Sequence, residues 1–371
     1  MPPVSSALEA QEAAARTFEQ QREWAKAAGA WASIAEALGR GGDPDRAARA
    51  WDAAGEAFRR DDRPALADKA LKTALLLTEN VALATVVRVK RSGCLAAQGQ
   101  LAEARQVLMQ AMLGPAHAQT VVADGQVDLA LATGDVAGAQ RWASRITGDD
   151  PLVVATRSFR HAQCARLMGD MDTAKTLLDE AAAELPGLSG QAAVAGERAE
   201  VHELMGDAAA AMTARHKAVS LHEQERRNGP KWAALAALLR MAAMMQVSLA
   251  RVPVLGAEGD AVVAVRRMRS LARDHNLVLT GIDLDMALAL AERDSAAHLA
   301  AIDAATACGA TYRAGRARVL GVQSGLVGQD QLAIAEKELA GVPVWVHQAK
   351  AWGGDDTSVQ WLTERGLNAP E

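Results

Sequence analysis

The sequence predicts an all-α protein, an α-solenoid made of antiparallel helix pairs. Two observations carry this prediction. A turn signature recurs every 34 to 37 residues, with one longer interval of 53, at Asp62, Gly99, Gly134, Gly169, Gly206, Gly259, Asp294 and Gly328. A period in the mid-thirties is typical of a two-helix unit that stacks on its neighbours. Runs of β-branched residues bounded by turns are almost absent, which removes most of the case for a sheet.

Small residues follow these turns at a constant distance. At every step except Asp294, an alanine lies five residues after the turn residue; these are Ala67, Ala104, Ala139, Ala174, Ala211, Ala264 and Ala333. A weaker member of the series precedes them, at Gly42-Asp43 with Ala47. A small side chain one turn into a helix lets two helix backbones approach closely. The alanines therefore indicate where the helices of each unit cross.

The unit that begins near Pro151 shows the pattern most clearly. Its first helix is marked by Phe159, Ala162 and Ala165, its turn is Gly169-Asp170-Met171-Asp172, and its second helix, with Ala174, Leu178 and Ala181, ends at Leu185-Pro186-Gly187. Glycine tolerates the left-handed conformation that ends a helix, and Asp170 can cap the free amides of the next one. These signals predict two antiparallel helices.

Composition agrees with a helical array and limits the function. Half of the 371 residues are apolar, and the net charge is only -5, so the overall charge favours neither nucleic acid nor an anionic membrane. The most apolar stretch, Trp232 to Ala250, carries Arg240 and Gln246 near its middle, which predicts a buried helix rather than a transmembrane segment. Alanine, arginine and glycine are abundant and lysine is scarce, a composition that suggests a bacterial source.

The cysteines and the start of the chain favour a cytoplasmic protein. The sequence has an odd number of cysteines, which are widely spaced and lie in segments with a helical pattern: Cys94, Cys164 and Cys308. We therefore expect buried, reduced thiols. The opening residues, Met-Pro-Pro-Val-Ser-Ser, show no signal-peptide pattern.

The repeat resembles the tetratricopeptide repeat (TPR), in residues 28 to 341. Near the start, Trp31, Ile34, Ala35 and Leu38 precede Gly42-Asp43, and Ala47, Trp51 and Ala54 follow at the spacing of that family; near the end, Leu320-Gly321 is similar to its Leu-Gly pair. The resemblance implies a right-handed superhelix whose concave face binds a protein or a peptide. The chain departs from the family in its missing tyrosines, in the degenerate unit around Asp294 and in the extra residues between Gly206 and Gly259.

One helix has two possible assignments. The segment Arg46 to Phe58 fits the second helix of a unit that turns at Gly42, and equally the first helix of a unit that turns at Asp62. Its residues Ala50 to Phe58 are also similar to the helices of soluble vesicle-fusion adaptors of the SNAP type, which stack hairpins in the same manner.

The chain divides into five predicted segments. Residues 1–27 form an N-terminal helical cap, 28–248 the TPR-like repeats, 249–258 a loop or hinge, 259–343 degenerate repeats, and 344–371 a capping helix or a flexible tail. The hinge is predicted from Leu249 to Gly259, where Pro253 and two glycines interrupt the array.

Signatures of catalysis, cofactors and metals are missing from the sequence. His161 and Cys164 share a helical face, which allows a nucleophilic pair but provides no third group to orient it. Glu200, His202 and Glu203 contain potential metal ligands, but successive positions point to different sides of a helix, so a solvated helix face is the better interpretation. The sequence therefore predicts no enzyme, no cofactor and no bound metal.

The first helix of each unit is expected to line the concave face. The predicted partner-binding residues there are Lys90, Asp124, Asp128, Phe159, Arg160, Gln163, Arg166, Glu197 and Glu200. Arg160 and Arg166 could bind a carboxylate by forked hydrogen bonds. Alternatively, these arginines pair with Asp124, Asp128 or the acidic residues around Glu197 in neighbouring units. The carboxylate clamp of chaperone-binding TPR proteins has no match here.

Three further groups of residues have both a structural and a functional interpretation. The basic residues Arg266, Arg267, Arg269 and Arg273, and also Arg313, Arg316 and Arg318, could attract phosphates or form solvated helix sides. Met241, Met244 and Met245 could form an adaptable groove, but core packing is the better explanation.

The sequence thus predicts a cytoplasmic, non-catalytic scaffold that binds a peptide segment or a protein in its concave face. Two alternatives stay open: an adaptor that stacks against a helical bundle, and an enzyme with an unfamiliar site near His161 and Cys164. The oligomeric state is left open.

Overall fold

The fold is an array of α-helices. A computed structural model describes residues 4–185, 187–244 and 261–370, and these ranges contain helices and turns but no strand. The helices are α1 (Val4–Gln20), α2 (Trp24–Arg40), α3 (Pro44–Arg60), α4 (Pro64–Leu77), α5 (Val81–Ala97), α6 (Leu101–Ala111), α7 (Gln119–Ala132), α8 (Val136–Ala143), α9 (Pro151–Met168), α10 (Met171–Glu184), α11 (Gly187–Leu204), α12 (Ala208–Gln224), α13 (Asn228–Met244), α14 (Ala261–Asp274), α15 (Val278–Glu292), α16 (Ser295–Ala307), α17 (Thr311–Gln323), α18 (Asp330–Glu338), α19 (Pro343–Trp352) and α20 (Asp356–Glu364). Gly259, Met245 and the predicted hinge lie outside the described residues.

The predicted turns join helices that pack side by side. Gly99, Gly134, Gly169 and Gly206 all have left-handed φ angles, between 75° and 88°, and Asp62 has a φ of 56°. An aspartate opens the next helix in several units; the Asp170 side chain, for example, accepts a hydrogen bond from the amide of Thr173 at 3.1 Å. These local signals explain why the helix pairs form where the sequence places them.

Two turns in the second half are shifted from the predicted positions. At Asp294 the left-handed residue is Arg293, with φ 56°, and Asp294 instead caps α16 through the amide of Ala297. Near Gly328 the left-handed residue is Gly325, with φ 67°. The signature in these units therefore marks the start of the following helix rather than the turn itself.

The alanines after the turns lie at the helix crossings, with one exception. Those at positions 67, 104, 139, 174 and 211 are completely buried, and Ala264 is almost so. Ala333 is exposed, and its expected place is taken by Ala335, which is completely buried. The shift of the turn near Gly328 accounts for this difference.

Helix α3 packs against both of its neighbours, so the two assignments of this segment are realised together. Tight turns with left-handed Gly42 and Asp62 join it to α2 and α4. Its contact with α4 is so close that a Cβ added to Gly55 would lie 2.7 Å from the Leu71 side chain. The array is therefore a continuous stack rather than a row of separate hairpins.

Turns far apart in the sequence meet in space. The Asp62 carboxylate accepts a hydrogen bond from the amide of Gly229 at 2.9 Å, 167 residues away. The Thr311 hydroxyl donates to the carbonyl of Thr133 at 2.8 Å, 178 residues away. These distances correspond to roughly five repeat units of about 35 residues. The array thus coils back on itself after about five units; the right-handed sense of the coil stays a prediction.

The C-terminal residues continue the helical packing. Helices α19 and α20 contact each other, and Trp361 of α20 lies against Gly169, at the turn between α9 and α10. The bounds of the five predicted segments stay predictions.

Two expectations about particular residues had mixed outcomes. Helix α13, the described part of the apolar stretch from Trp232, is buried on most of its surface, as predicted. Cys94 and Cys164 are buried free thiols, but Cys308 is partly exposed and lies just after the end of α16, so its expected burial within a helix was wrong. Within the described residues, no helix combines the length and the apolar character needed to cross a membrane.

Candidate functional site: a cavity inside the coil

A cavity of about 490 Å³ lies inside the coil. Helices α7, α9, α11, α13, α15 and α17 contribute to its wall, together with parts of α12 and α16. We call this the central cavity. Its volume lies within the range of about 300–1,000 Å³ that is usual for ligand-binding pockets. Residues up to about 190 positions apart in the sequence meet there, because the array coils back on itself.

Charged side chains on five helices form one connected network at the wall of this cavity. We call it the central ion network; its members are Arg166 of α9, Glu197, Glu200 and Glu203 of α11, Arg215 of α12, Arg240 of α13 and Arg316 of α17. The three glutamates follow one another at intervals of three, so they share one face of α11. That face is where the surrounding arginines converge.

Glu200 is the hub of the network. One of its carboxylate oxygens lies 2.8 Å from Arg316 and 4.0 Å from Arg166, and the other contacts Arg215 directly and lies 3.8 Å from Arg240. Glu203 supports it, at 2.7 Å from Arg240 and 3.3 Å from Arg316. Glu197 pairs with Arg166. A single carboxylate of α11 therefore contacts arginines of four other helices, α9, α12, α13 and α17.

The charges of the network perturb one another strongly. Burial alone would raise the pKa of Glu200, but the surrounding arginines, Arg316 first, hold that pKa well below its ordinary value of 4.5. Burial would likewise lower the pKa of Arg316, but Glu200 and Glu203 more than offset this and raise it. Arg240 differs: burial and the like charge of Arg316 lower its pKa despite its pairing with Glu203. Positive charge is therefore in excess in the part of the network that Arg240 and Arg316 share.

The remaining wall of the central cavity mixes apolar and polar side chains. Leu131, Leu167, Met286, Leu290 and Leu320 provide apolar surface, and several alanines of α11 and α13 leave room. Tyr312, the only tyrosine of the chain, lines the cavity near the end of α17 that also carries Arg316. A mixture of apolar wall and a few charged groups is typical of a site that holds and orients a ligand.

Four of the nine predicted partner-binding residues line the central cavity: Asp128, Gln163, Arg166 and Glu200. Glu197 belongs to the network behind the wall. Lys90 lies elsewhere, paired with Asp52 at 2.8 Å between α5 and α3. The wall of the central cavity and the network behind it therefore contain five of the nine residues, and their role in binding a partner stays a prediction.

The arginines predicted to clamp a partner are paired within the protein. Arg160 lies 2.7 Å from Asp124 and 2.6 Å from Asp128, and it also donates to Gln163. Its guanidinium group lies 5.7 Å from the centre of the Phe159 ring. Arg166 is bound to Glu197, so the alternative given for both arginines, pairing with carboxylates of neighbouring units, is what the structure shows.

Four members of the site were missed from the sequence: Arg215, Tyr312, and the roles of Arg240 and Arg316. Arg215 lies on a second helix, α12, although only first helices were expected to face inward. Arg240 carried a usable signal, because an arginine in the middle of an apolar helix needs a buried partner. Tyr312 carried none beyond being the only tyrosine of the chain.

The sequence allows a nucleophilic pair at Cys164, which is buried, and His161, which is only partly buried. Burial raises the pKa of the Cys164 thiol to about 11, and burial, together with Arg157, lowers the pKa of His161. A thiol with such a pKa is protonated and unreactive at neutral pH. A second histidine also lies beside a hydroxyl group: His347 Nδ1 is 3.1 Å from the hydroxyl of Ser358. That serine is only 1% exposed.

Metal binding gains no support from the part of the chain that the structure describes, where no group of three or more potential ligands comes together. Glu200 and Glu203 are occupied by arginines, and His202 instead lies 3.6 Å from Asp207.

The basic clusters are largely neutralised by ion pairs. Arg266 lies 2.6 Å from Glu292, and Arg269 lies 2.5 Å from Asp285. In the second cluster, Arg313 pairs with Asp283 at 3.1 Å, Arg318 pairs with Glu338 at 3.0 Å, and Arg316 belongs to the central ion network. These pairs favour the structural interpretation of the clusters over phosphate binding.

No protein-family model and no curated protein sequence matches the chain. Among solved structures, it is similar to a Rap protein in complex with the competence and sporulation factor, at 11% identity and a TM-score of 0.40, over 97% of this chain and 99% of that one. It is also similar to the TPR domain of P58(IPK), at 13% identity and a TM-score of 0.25, over 94% and 98% of the two chains. A circular tandem repeat protein has 16% identity and a TM-score of 0.22, over 96% and 95%.

Similarities this distant carry no information about a ligand or a partner. The architecture rests on the chain's own features: antiparallel helix pairs, a left-handed residue at many of the turns, an aspartate cap at several helix starts and buried alanines at the crossings. These features describe an α-solenoid of antiparallel helix pairs, the fold class that the sequence predicted.

Proposed function

We propose that the protein is a non-catalytic scaffold that holds a peptide segment of a partner protein inside its coil, in the central cavity. The observation that carries this proposal is a cavity of about 490 Å³ at which side chains from five separate helices converge. A short segment of chain suits this site better than nucleic acid, because the basic clusters are paired with carboxylates.

Filling the cavity tests the proposal. Ala193 of α11 lines the cavity and is exposed to it, so Ala193→Phe should occupy space without disturbing the core. Ala209 of α12 is exposed but does not line the cavity, which makes Ala209→Phe a matched control. Both variants should keep the melting temperature of the unmodified protein.

The assay is capture of a degenerate hexapeptide pool by the full-length protein, read by mass spectrometry of the bound fraction. We expect Ala193→Phe to reduce capture at least tenfold and Ala209→Phe to leave it unchanged. Equal capture by both variants would remove the central cavity from the function. Binding to liposomes or to preformed coiled coils, with no peptide capture, would support the adaptor alternative instead.

A further inference from the structure

The central ion network has more hydrogen-bond donors than acceptors. Its four arginines face three glutamates, so one positive charge has no counterpart within the network. Arg166 and Arg215 are more than nine-tenths buried. Among the described residues, Arg166 Nη1 and the Nε atoms of Arg215, Arg240 and Arg316 have no hydrogen-bond acceptor. One oxygen of Glu200 also makes no hydrogen bond, although it lies 2.8 Å from Arg316, so the donors without a partner outnumber the acceptors four to one. Buried donors and charges of this kind are costly unless they are satisfied.

Other charges on the cavity wall do not supply the missing acceptor. Arg313 and Asp283 neutralise each other at 3.1 Å. Asp124 and Asp128 share Arg160, which leaves an extra carboxylate on α7, but their side chains are 35% and 63% exposed, respectively, so water hydrates them. The excess negative charge is thus solvated, whereas the excess positive charge is buried.

A further donor lies on the same wall. The hydroxyl of Tyr312, one helical turn before Arg316 on α17, is buried and has no hydrogen-bond partner among the described residues. A buried tyrosine hydroxyl usually finds a partner. Donors without acceptors therefore gather on α9, α12, α13 and α17 around one cavity.

We infer that the ligand of the central cavity carries a carboxylate that binds between Arg166 of α9 and the Tyr312–Arg316 turn of α17. This inference rests on the proposed function and names the chemistry of the bound segment. A carboxylate supplies one negative charge, which matches the single uncompensated arginine, and it accepts several charge-assisted hydrogen bonds. The carboxylate belongs to an acidic side chain or to the C-terminus of a peptide; a small free carboxylate has the same chemistry and is separated by the experiment.

The variant Tyr312→Phe tests this inference with little risk to folding. It removes only a hydroxyl that makes no hydrogen bond within the described protein, so the melting temperature should not fall. If the ligand's carboxylate accepts a hydrogen bond from this hydroxyl, binding should weaken about tenfold or more. A second variant, Arg316→Gln, should weaken binding further, with Arg266→Gln as a control at an exposed surface pair.

The probes are two hexapeptide pools and one small anion. The first pool is degenerate and has free carboxylates; in the second, asparagine and glutamine replace the acidic residues, and the C-terminus is amidated. The small anion is succinate, compared with chloride at equal ionic strength in thermal denaturation. Each probe is applied to the full-length protein, to Tyr312→Phe, to Arg316→Gln and to the control.

The outcomes separate this inference from the proposed function. Preferential capture of the carboxylate pool that is lost in Tyr312→Phe supports both. Equal capture of the two pools would contradict the carboxylate inference but would still support a peptide ligand. Stabilisation by succinate without peptide capture, if it is lost in Tyr312→Phe, would support carboxylate binding and contradict the peptide ligand. No capture and no stabilisation beyond that of chloride overturns both.

Discussion

Replacing Glu200 with glutamine should destabilise the protein strongly, because this carboxylate holds the central ion network together. The change keeps the shape of the side chain and removes one negative charge that four arginines share. The Glu200 side chain is only 13% exposed, so solvent offers little compensation. Removing one partner of a buried ion pair costs about 3–5 kcal/mol. We expect the free energy of unfolding of Glu200→Gln to fall by that amount at pH 7.

The assay is urea denaturation of the full-length protein followed by circular dichroism, with Glu292→Gln as the matched control. Glu292 pairs with Arg266 at 2.6 Å, but that arginine side chain is 62% exposed, so the control should lose no more than about 1 kcal/mol. Similar losses in the two variants would refute the reasoning, because they would show that burial does not strengthen the network.

The pH dependence gives a second reading of the same variant. Because the pKa of Glu200 is depressed in the folded protein, its contribution is fully present above its ordinary pKa of 4.5 and is lost as the pH falls through the lower folded value. The difference between the unmodified protein and Glu200→Gln should therefore be constant near neutrality and shrink in acid. A difference that grows as the pH falls would contradict the assigned direction of the pKa shift.

Four other residues, Glu56, Gly55, Gly29 and Cys164, give further tests. Burial acts to raise the pKa of Glu56, but Arg59 at 2.7 Å outweighs this effect and the pKa is lowered to about 2. The free energy of unfolding of Glu56→Gln should therefore fall by about 3 kcal/mol at neutral pH, and by progressively less as the pH falls from 4.5 to 2. A loss that does not depend on pH would contradict this prediction. Gly55→Ala should destabilise by about 1–3 kcal/mol, because its Cβ would lie 2.7 Å from a leucine of α4. Gly29, by contrast, has open space around it, so Gly29→Ala should stabilise α2 by about 0.5–1 kcal/mol. Thermal denaturation of Gly55→Ala and Gly29→Ala measures both effects. Equal effects would contradict the close approach of α3 and α4. The thiol of Cys164, with a pKa of about 11, should react with iodoacetamide more slowly than free cysteine at pH 7.5, and faster modification would revive the enzyme alternative.

The sequence predicts the local features of the fold well because the signals are local. The left-handed conformation at Gly134, Gly169 and Gly206 favours glycine, and the aspartate and alanine that follow have fixed places relative to it. The predicted turn residue is wrong at Asp294 and Gly328, because Arg293 and Gly325 adopt the left-handed conformation there instead. Even there, the presence of a helix–turn–helix was predicted, and only its phase differed.

The central cavity could be predicted only in part. Arg166 and Glu200 lie on consecutive first helices, so the repeat register predicts both on one inner face, and both line the central cavity. The pairing of Glu203 with Arg316 spans 113 residues and depends on how tightly the array coils. That coiling is the sum of small rotations between units, which no single motif encodes. The network's closure across the coil therefore had no sequence signal.

Hydrogen–deuterium exchange with and without the captured peptides tests most directly whether a ligand binds inside the coil. We expect bound peptide to slow exchange in α9, α11, α13 and α17, whose side chains line the central cavity. Slower exchange confined to α10 and α18, neither of which contributes a residue to that wall, would place the ligand on the outer surface and contradict binding inside the coil.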